Sequence, residues 1–119
     1  MTTQEVAAMV AEIGVPTAYY QFQDKTKQAT PFVCFFYSGD NDFKADDSNY
    51  KKIEHLIIEV YTDNKDFELE QTVESVLASH GMVWTRDEEW IESERMLEVV
   101  YEMDVCIEVV MEVENGEQD

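Results

Sequence analysis

The amino-acid sequence predicts an α+β fold, in which a mostly antiparallel sheet of four to five strands has two helices packed on one face. Two observations lead to this class. Apolar residues recur with helical spacing in two stretches, one at the amino end and one near the middle of the chain. Other stretches alternate apolar and polar residues or form short apolar runs, as strands do. The chain has 119 residues, so we expect one domain over residues 1–113 and a short, acidic, flexible tail over 114–119.

The first helix is predicted to begin after Thr2, which matches a capping box with Glu5. Gly14 and Pro16 predict its end. The apolar residues that share one face of this helix are Val6, Met9, Val10 and Ile13.

Two β-prone runs follow, at residues 17–22 and 32–37, and we expect them to form a hairpin. The second run is apolar at every position. That pattern predicts a strand that is covered on both sides or lies at a subunit contact.

A loop rich in aspartate and asparagine is predicted between Ser38 and Tyr50. Its oxygen-bearing residues, Asp40 to Asp47, are of the type that binds calcium. The EF-hand order fails, however, because Lys44 stands where an oxygen ligand is needed if the loop begins at Asp40. We therefore interpret the segment as a solvated loop, with a calcium-dependent binding module as an alternative.

The second half of the chain predicts a long strand over residues 51–61 and then a helix. Asp63 or Asn64 is expected to cap this helix, and Gly81 to end it. We then expect a short strand at 82–85, a polar bend at 86–94 and a long strand at 95–111. The helical face is formed by Leu69, Val73, Val76 and Leu77.

The charge excludes two classes of partner. The chain has 27 acidic and 8 basic residues and a net charge of −19. A chain this acidic cannot neutralise many phosphates, so we expect no sequence-specific nucleic acid binding and no adsorption to a membrane. We expect neither a signal peptide nor a spanning helix. Cys34 and Cys106 lack metal-ligand spacing and are predicted to be buried free thiols.

No motif predicts catalysis. The sequence has no phosphate-binding glycine loop, no nucleophile elbow and no HExxH zinc motif. His80 precedes Gly81 at a predicted helix end, where a cation is favoured without any catalytic role. We expect a protein that is not an enzyme, with no catalytic residues, no metal site and no cofactor.

A row of acidic residues on the last long strand is the most unusual feature. Residues two apart on one strand face are only about 7 Å from each other, so this face must meet water or a basic partner. Three interpretations remain open: a solvated face that deters aggregation, a docking face for a basic partner, or the wall of a channel through which DNA passes. The row consists of Glu98, Glu102, Asp104, Glu108 and Glu112.

The predicted hairpin is also unusually aromatic. Such residues are most often core, yet the hairpin has more apolar surface than one small sheet readily covers, and aromatic residues are enriched at interfaces. The candidate residues for an oligomer interface are Tyr19, Tyr20, Phe22, Phe32, Phe35 and Tyr37.

Several stretches, in order, resemble the small tail proteins of long-tailed (siphovirus-like) phages and prophages, in particular the tail-terminator or tail-completion group. They cover nearly the whole chain: the amino-terminal helix, residues 19–22, residues 30–37, the Asn-Asp loop with Ala45-Asp46 before Tyr50, residues 57–62 leading into a Glu-rich helix, and residues 90–94 before a long strand that contains Tyr101.

The resemblance implies a structural protein that forms a homo-oligomeric ring, commonly a hexamer, at the head-proximal end of the tail tube. Such a protein stops tube polymerisation and joins the tube to the head connector. The implied partners are further copies of the chain, tail-tube proteins and head-connector proteins. The implied location is the virion, or the host bacterial cytoplasm during assembly. The main alternative is a small acidic inhibitor that mimics DNA and binds a basic host protein.

Overall fold

The computed structural model of the chain describes residues 1–22, 28–38 and 50–109. Within these residues, the chain forms two helices and five strands in the order α-β-β-β-α-β-β, which confirms the predicted α+β class. The elements are α1 (Thr3–Ala11), β1 (Thr17–Tyr19), β2 (Phe32–Tyr37), β3 (Tyr50–Thr62), α2 (Phe67–Ser79), β4 (Thr85–Ile91) and β5 (Met96–Val109). The strands form one sheet in the order β1-β2-β3-β5-β4.

The capping box predicted at the start of α1 is present. The Glu5 N–H donates to Thr2 Oγ1 at 3.1 Å, and the Thr2 N–H donates to Glu5 Oε1 at 2.9 Å. Two of the unpaired backbone donors at the helix start are thereby satisfied. The helix ends at Ala11, and Gly14 follows with a φ of 89°, a left-handed conformation that glycine adopts without strain.

The predicted hairpin between the first two strands is wrong, because β1 and β2 run parallel. Thr17 lies beside Val33 and Tyr19 beside Phe35. A tight turn cannot join parallel strands, which need a connection of about a dozen residues or more, and twelve residues separate Tyr19 from Phe32 in the sequence. The β2–β3, β3–β5 and β4–β5 pairs are antiparallel.

Helix α2 begins later than predicted. Asp66 is the N-cap, and its side chain accepts the Leu69 N–H at 3.0 Å. Asp63, one of the two predicted caps, instead accepts the Thr30 hydroxyl at 2.6 Å. The predicted end is confirmed: Gly81 follows the helix with a φ of 76°.

The fourth strand is also misplaced by the sequence prediction. The short strand expected at 82–85 and the bend expected at 86–94 are replaced by β4, Thr85–Ile91. The acidic residues in its middle, Asp87, Glu88 and Glu89, have low strand propensity, but pairing with β5 satisfies their backbone groups, and such tertiary pairing overrides local preference. The turn into β5 contains Arg95 with a φ of 53°.

The core lies between the two helices and one face of the sheet, which we call the inner face. Alternation along the strands sends every second residue to it. Among the described residues, no helix is long and apolar enough to cross a membrane. The buried core residues are Val6, Met9, Val10 and Ile13 of the α1 region, Val73 and Leu77 of α2, and Val33, Phe35, Leu56, Ile58, Val60, Leu97, Val99, Tyr101, Met103, Val105 and Ile107 of the sheet.

The opposite side, which we call the outer face, is left without a helix in the described part of the chain. Apart from Cys34, which is buried, its positions with described burial are exposed or half-buried, in contrast to the buried inner positions on the same strands. Strand register places on it Phe32, Cys34 and Phe36 of β2; Lys51, Ile53, His55, Ile57, Glu59 and Tyr61 of β3; Glu98, Val100, Glu102, Asp104, Cys106 and Glu108 of β5; and Thr85, Asp87 and Glu89 of β4.

Candidate interaction surface

Four of the five residues in the predicted acidic row lie on the outer face of β5. They are Glu98, Glu102, Asp104 and Glu108, and they are exposed or only partly buried. The fifth, Glu112, lies outside the described residues, as do the Asp40–Asp47 loop and the predicted tail. The residues of β5 therefore alternate between the two sheet faces in the structure as the sequence pattern predicts.

The neighbouring edge strand adds to the negative charge. Glu89 of β4 lies directly opposite Glu98, and Asp87 lies opposite Val100. Directly opposed like charges destabilise a strand pair, because their side chains are held close together. The acidic surface thus extends over two strands rather than one.

His55 of β3 is a basic residue of this surface whose contacts the sequence interpretation missed. Its Nε2 lies 2.9 Å from Glu102 Oε1, and its Nδ1 lies 3.1 Å from Asp104 Oδ1. Hydrogen bonding to Glu102, and then to Asp104, raises the pKa of the imidazole, because only the imidazolium donates from both nitrogens. The register of β3 against β5 creates this bridge, and one sequence does not reveal that register.

A tyrosine joins two further carboxylates at the end of the outer face. The Tyr61 hydroxyl lies 2.9 Å from Glu59 Oε1 and 2.9 Å from Glu98 Oε2, so its single proton serves one of them at a time. Burial raises the pKa of Glu59, and the nearby charge of Glu98 raises it further, while the Tyr61 hydrogen bond opposes both. Burial and the two carboxylates also raise the pKa of Tyr61.

The structure divides the six predicted interface aromatics between the two sides of the sheet. Phe35 is 7% exposed and belongs to the core, and Tyr19 and Tyr37 lie on the same side. The Tyr37 hydroxyl is buried without a partner among the described residues, and burial raises its pKa to about 12. At the edge of the sheet, Tyr19 is 48% and Tyr20 59% exposed.

The other predicted aromatics contact the outer face. The Phe22 ring packs edge-on against Phe32 at 5.6 Å, and Phe32 stacks on Tyr61 at 4.9 Å. Tyr20 stacks on Phe36 at 5.1 Å. Aromatic side chains and unneutralised carboxylates therefore meet at one end of the same face.

The two cysteines have different surroundings. Cys34 is a buried free thiol, as predicted, and burial raises its pKa to about 11. Cys106 is also free, but it is exposed, so the prediction that it is buried is wrong. Both thiols point to the outer face, but Cys34 lies between the rings of Phe32 and Phe36 on β2, whereas Cys106 lies between the exposed side chains of Asp104 and Glu108 on β5.

A second charged cluster ties α2 to β4 on the inner side. Glu70 is only 7% exposed, and its carboxylate lies 2.9 Å from Arg86 Nη2 and 3.1 Å from Lys65 Nζ. Lys65 also contacts Glu88 at 2.6 Å. Because each charge has a partner of opposite sign within the chain, the role of this cluster is to hold α2 against β4, and it needs no external partner.

Metal-site geometry does not appear in the described ranges, where no group of three or more His, Cys, Asp or Glu residues is placed to hold an ion.

Comparisons with known proteins give a likeness in fold. No protein-family model matches the sequence, and no curated protein matches it. Among solved structures, a chain of the virion of a native gene transfer agent particle matches with a TM-score of 0.55 and 14% sequence identity. The match covers 90% of this chain and 91% of that chain. The protein therefore shares its fold, over nearly its whole length, with a component of a gene transfer agent virion.

Proposed function

We propose that the protein is a structural component of a phage-like virion, and more specifically a tail terminator. In this role it forms a homo-oligomeric ring, with six subunits, at the head-proximal end of the tail tube and joins the tube to the head connector. The observation that carries the proposal is the full-length fold likeness to a chain of a gene transfer agent virion. The ordered sequence resemblance to tail-terminator proteins points to the same class.

The edge of the sheet at β1 is proposed as the subunit contact. Tyr19 and Tyr20 are both about half exposed there, and large exposed aromatics at an edge strand are suited to pairing with a neighbour. Phe22 and Phe32 continue the aromatic surface toward the outer face. Ring closure at this edge also hides an exposed strand that would otherwise favour open-ended association.

The middle of the acidic row is proposed as the wall of the channel. Glu102, Asp104 and Glu108 project from one strand face at spacings of about 7 Å or multiples of it. These three acids outnumber His55 and Lys51, the basic residues that lie opposite Asp104 and Glu108. Electrostatic repulsion at physiological salt acts over about 8 Å. A wall of this kind repels only DNA that comes close to it, so DNA passes without adhering. The protein acts here as a passive support, without catalysis and without a cofactor.

The test is the mass of the purified protein by light scattering, over a concentration series and at two salt levels. We expect a discrete species near six subunits, and electron micrographs of it should show a ring. Tyr20→Asn should shift the population to smaller species, because it removes an exposed aromatic from the proposed contact.

The matched control is Phe67→Asn. Phe67 is 68% exposed at the start of α2 and is not part of the proposed contact, so this variant should keep the ring. A chain that stays monomeric at all concentrations would contradict the ring. If that monomer also competes with DNA for a basic DNA-binding protein, the result would favour the DNA-mimic alternative.

A further inference from the structure

One end of the outer face combines aromatic rings with carboxylates in a single cross-strand row. Phe32, Tyr61, Glu98 and Glu89 lie side by side on β2, β3, β5 and β4. Since neighbouring strands are about 4.8 Å apart, this row spans about 14 Å. Glu59 lies beside it and shares the Tyr61 hydroxyl with Glu98. We call these five residues the row.

The negative charge of the row has no counterion within the part of the chain that the structure describes. The ion pairs of those residues include none of Glu59, Glu89 and Glu98. Glu98 and Glu89 oppose each other directly across the strands, an arrangement that repulsion disfavours. A cation that entered the row would remove this repulsion, so the row is complementary to a positive group.

The rings beside the carboxylates select the type of positive group. Tyr61 and Phe32 are stacked at 4.9 Å, and they form an apolar border along one side of the acids. A guanidinium is planar, stacks on aromatic rings and binds carboxylates through two parallel hydrogen bonds. A lysine ammonium is more strongly hydrated and makes no such planar contact. Arginine therefore suits both the aromatic rings and the carboxylates of the row.

A second copy of the chain is a poor source of this arginine. Among the described residues, Arg86 is held by Glu70, and Arg95 is 75% exposed but shares its turn with Glu92 and Glu94, so a copy that presents Arg95 to the row also presents two carboxylates. Lys52 and Lys65 are also paired with carboxylates of their own chain. With a net charge of −19, two copies facing each other across this row would repel. Nucleic acid is disfavoured for the same reason.

We propose that this end of the outer face docks a different protein through an arginine that has an apolar neighbour. The guanidinium lies against Tyr61 and donates to Glu98 and Glu89, and the apolar neighbour covers Phe32. The row borders the proposed subunit contact at Phe32 but does not include the exposed tyrosines at the β1 edge, and the inference does not depend on the virion assignment.

The test uses a synthetic peptide in which one arginine lies between two leucines, added to the full ¹⁵N-labelled chain. We expect saturable amide shifts centred on Tyr61, Glu98 and Glu89. The same peptide with citrulline in place of arginine keeps the shape and loses the charge. It should bind about tenfold more weakly, because a charge-assisted bidentate contact is lost. A lysine peptide should lie between the two.

Two protein variants with the same change in net charge complete the experiment. Glu98→Gln should weaken binding of the arginine peptide severalfold, since it removes one of the two acceptors of the guanidinium. Glu68→Gln alters an exposed acid of α2 and should leave binding unchanged. Urea unfolding of both variants confirms that each is folded.

Four results would each overturn the proposal. They are equal binding of the arginine and citrulline peptides, equal weakening by the two variants, shifts centred away from the row, and concentration-dependent shifts at the row without peptide. The last result would identify a second copy as the occupant. Since the peptide is titrated into whatever oligomer the chain forms, failure here leaves the ring measurement standing.

Discussion

Adjacent isoleucines of β3 provide a direct test of the one-sided sheet. Ile58 is fully buried on the inner face, opposite Phe35 and Tyr101. Ile57 is half-buried on the outer face, opposite Phe36 and Glu102. The substitutions Ile57→Ala and Ile58→Ala remove the same atoms from the same strand, so they differ only in the face that they affect.

The expected costs follow from the surroundings of each side chain. Ile58→Ala should lower the free energy of unfolding by about 2–5 kcal/mol, because it leaves a cavity in the core. Ile57→Ala should lower it by about 1–2 kcal/mol. Each buried methylene contributes about 0.8 kcal/mol, this side chain is only partly buried, and its loss opens space to solvent instead of a cavity.

Urea unfolding followed by tryptophan fluorescence measures both free energies at a protein concentration where the chain is monomeric. A domain is stable by about 5–15 kcal/mol, so Ile58→Ala should still fold. If it does not, Ile58→Val should cost about 0.5–1.5 kcal/mol and serves in its place. Equal costs for the two alanine variants would refute the reasoning, because they would mean that the outer face is covered within the monomer.

Three further predictions concern the charged and thiol groups. The pKa of His55 is raised in the folded state, so its ion pairs stabilise the fold at pH values below its ordinary pKa, and that contribution is lost as pH rises through the folded pKa. In urea unfolding, His55→Gln should therefore cost up to about 1 kcal/mol near pH 5.5 and nothing near pH 9. A cost that does not depend on pH would contradict the contacts of His55 with Glu102 and Asp104. A thiol reagent should titrate Cys106 rapidly in the native chain and Cys34 only after unfolding, because one is exposed and the other buried with a pKa of about 11; two fast thiols would show that β2 is open. Arg86→Met should cost about 1–3 kcal/mol and lower the melting temperature by several degrees, because it takes one of two cations from the buried carboxylate of Glu70; an unchanged melting temperature would show that Lys65 alone suffices.

The elements with a strong local signal could be predicted from the sequence. Helix α1 has a capping box and a clear apolar face, and both are present. The long strands β3 and β5 alternate over many residues, so their extent and the face of each side chain follow from the pattern alone. For this reason the acidic row of β5 was placed correctly up to the end of the described residues.

The elements that depend on a distant partner could not be predicted. The direction of β1 relative to β2 is a tertiary property, and the same residues suit a hairpin or a crossover. The polar residues of β4 predict a bend because the groups that pair with them are distant in the sequence. Arg86 of β4, for example, is neutralised by Glu70 of α2. The contacts of His55 and Tyr61 with β5 likewise require the strand register. The pattern of a single sequence shows which residues share one face of a strand, but only the strand register shows which residues are neighbours across two strands.

The outer face is the part of the molecule whose composition folding does not explain. The helices and the inner face already supply a continuous core, so selection for stability alone would leave the opposite face with mixed, neutralised charges. Instead, Glu98 opposes Glu89 without a counterion in the described part of the chain, and Tyr61 stacks on Phe32 beside them. Such an arrangement costs the isolated chain stability. A partner that supplies a positive group recovers this cost, and this is why the row, rather than the better-neutralised stretch around His55, is the place to look for the first contact.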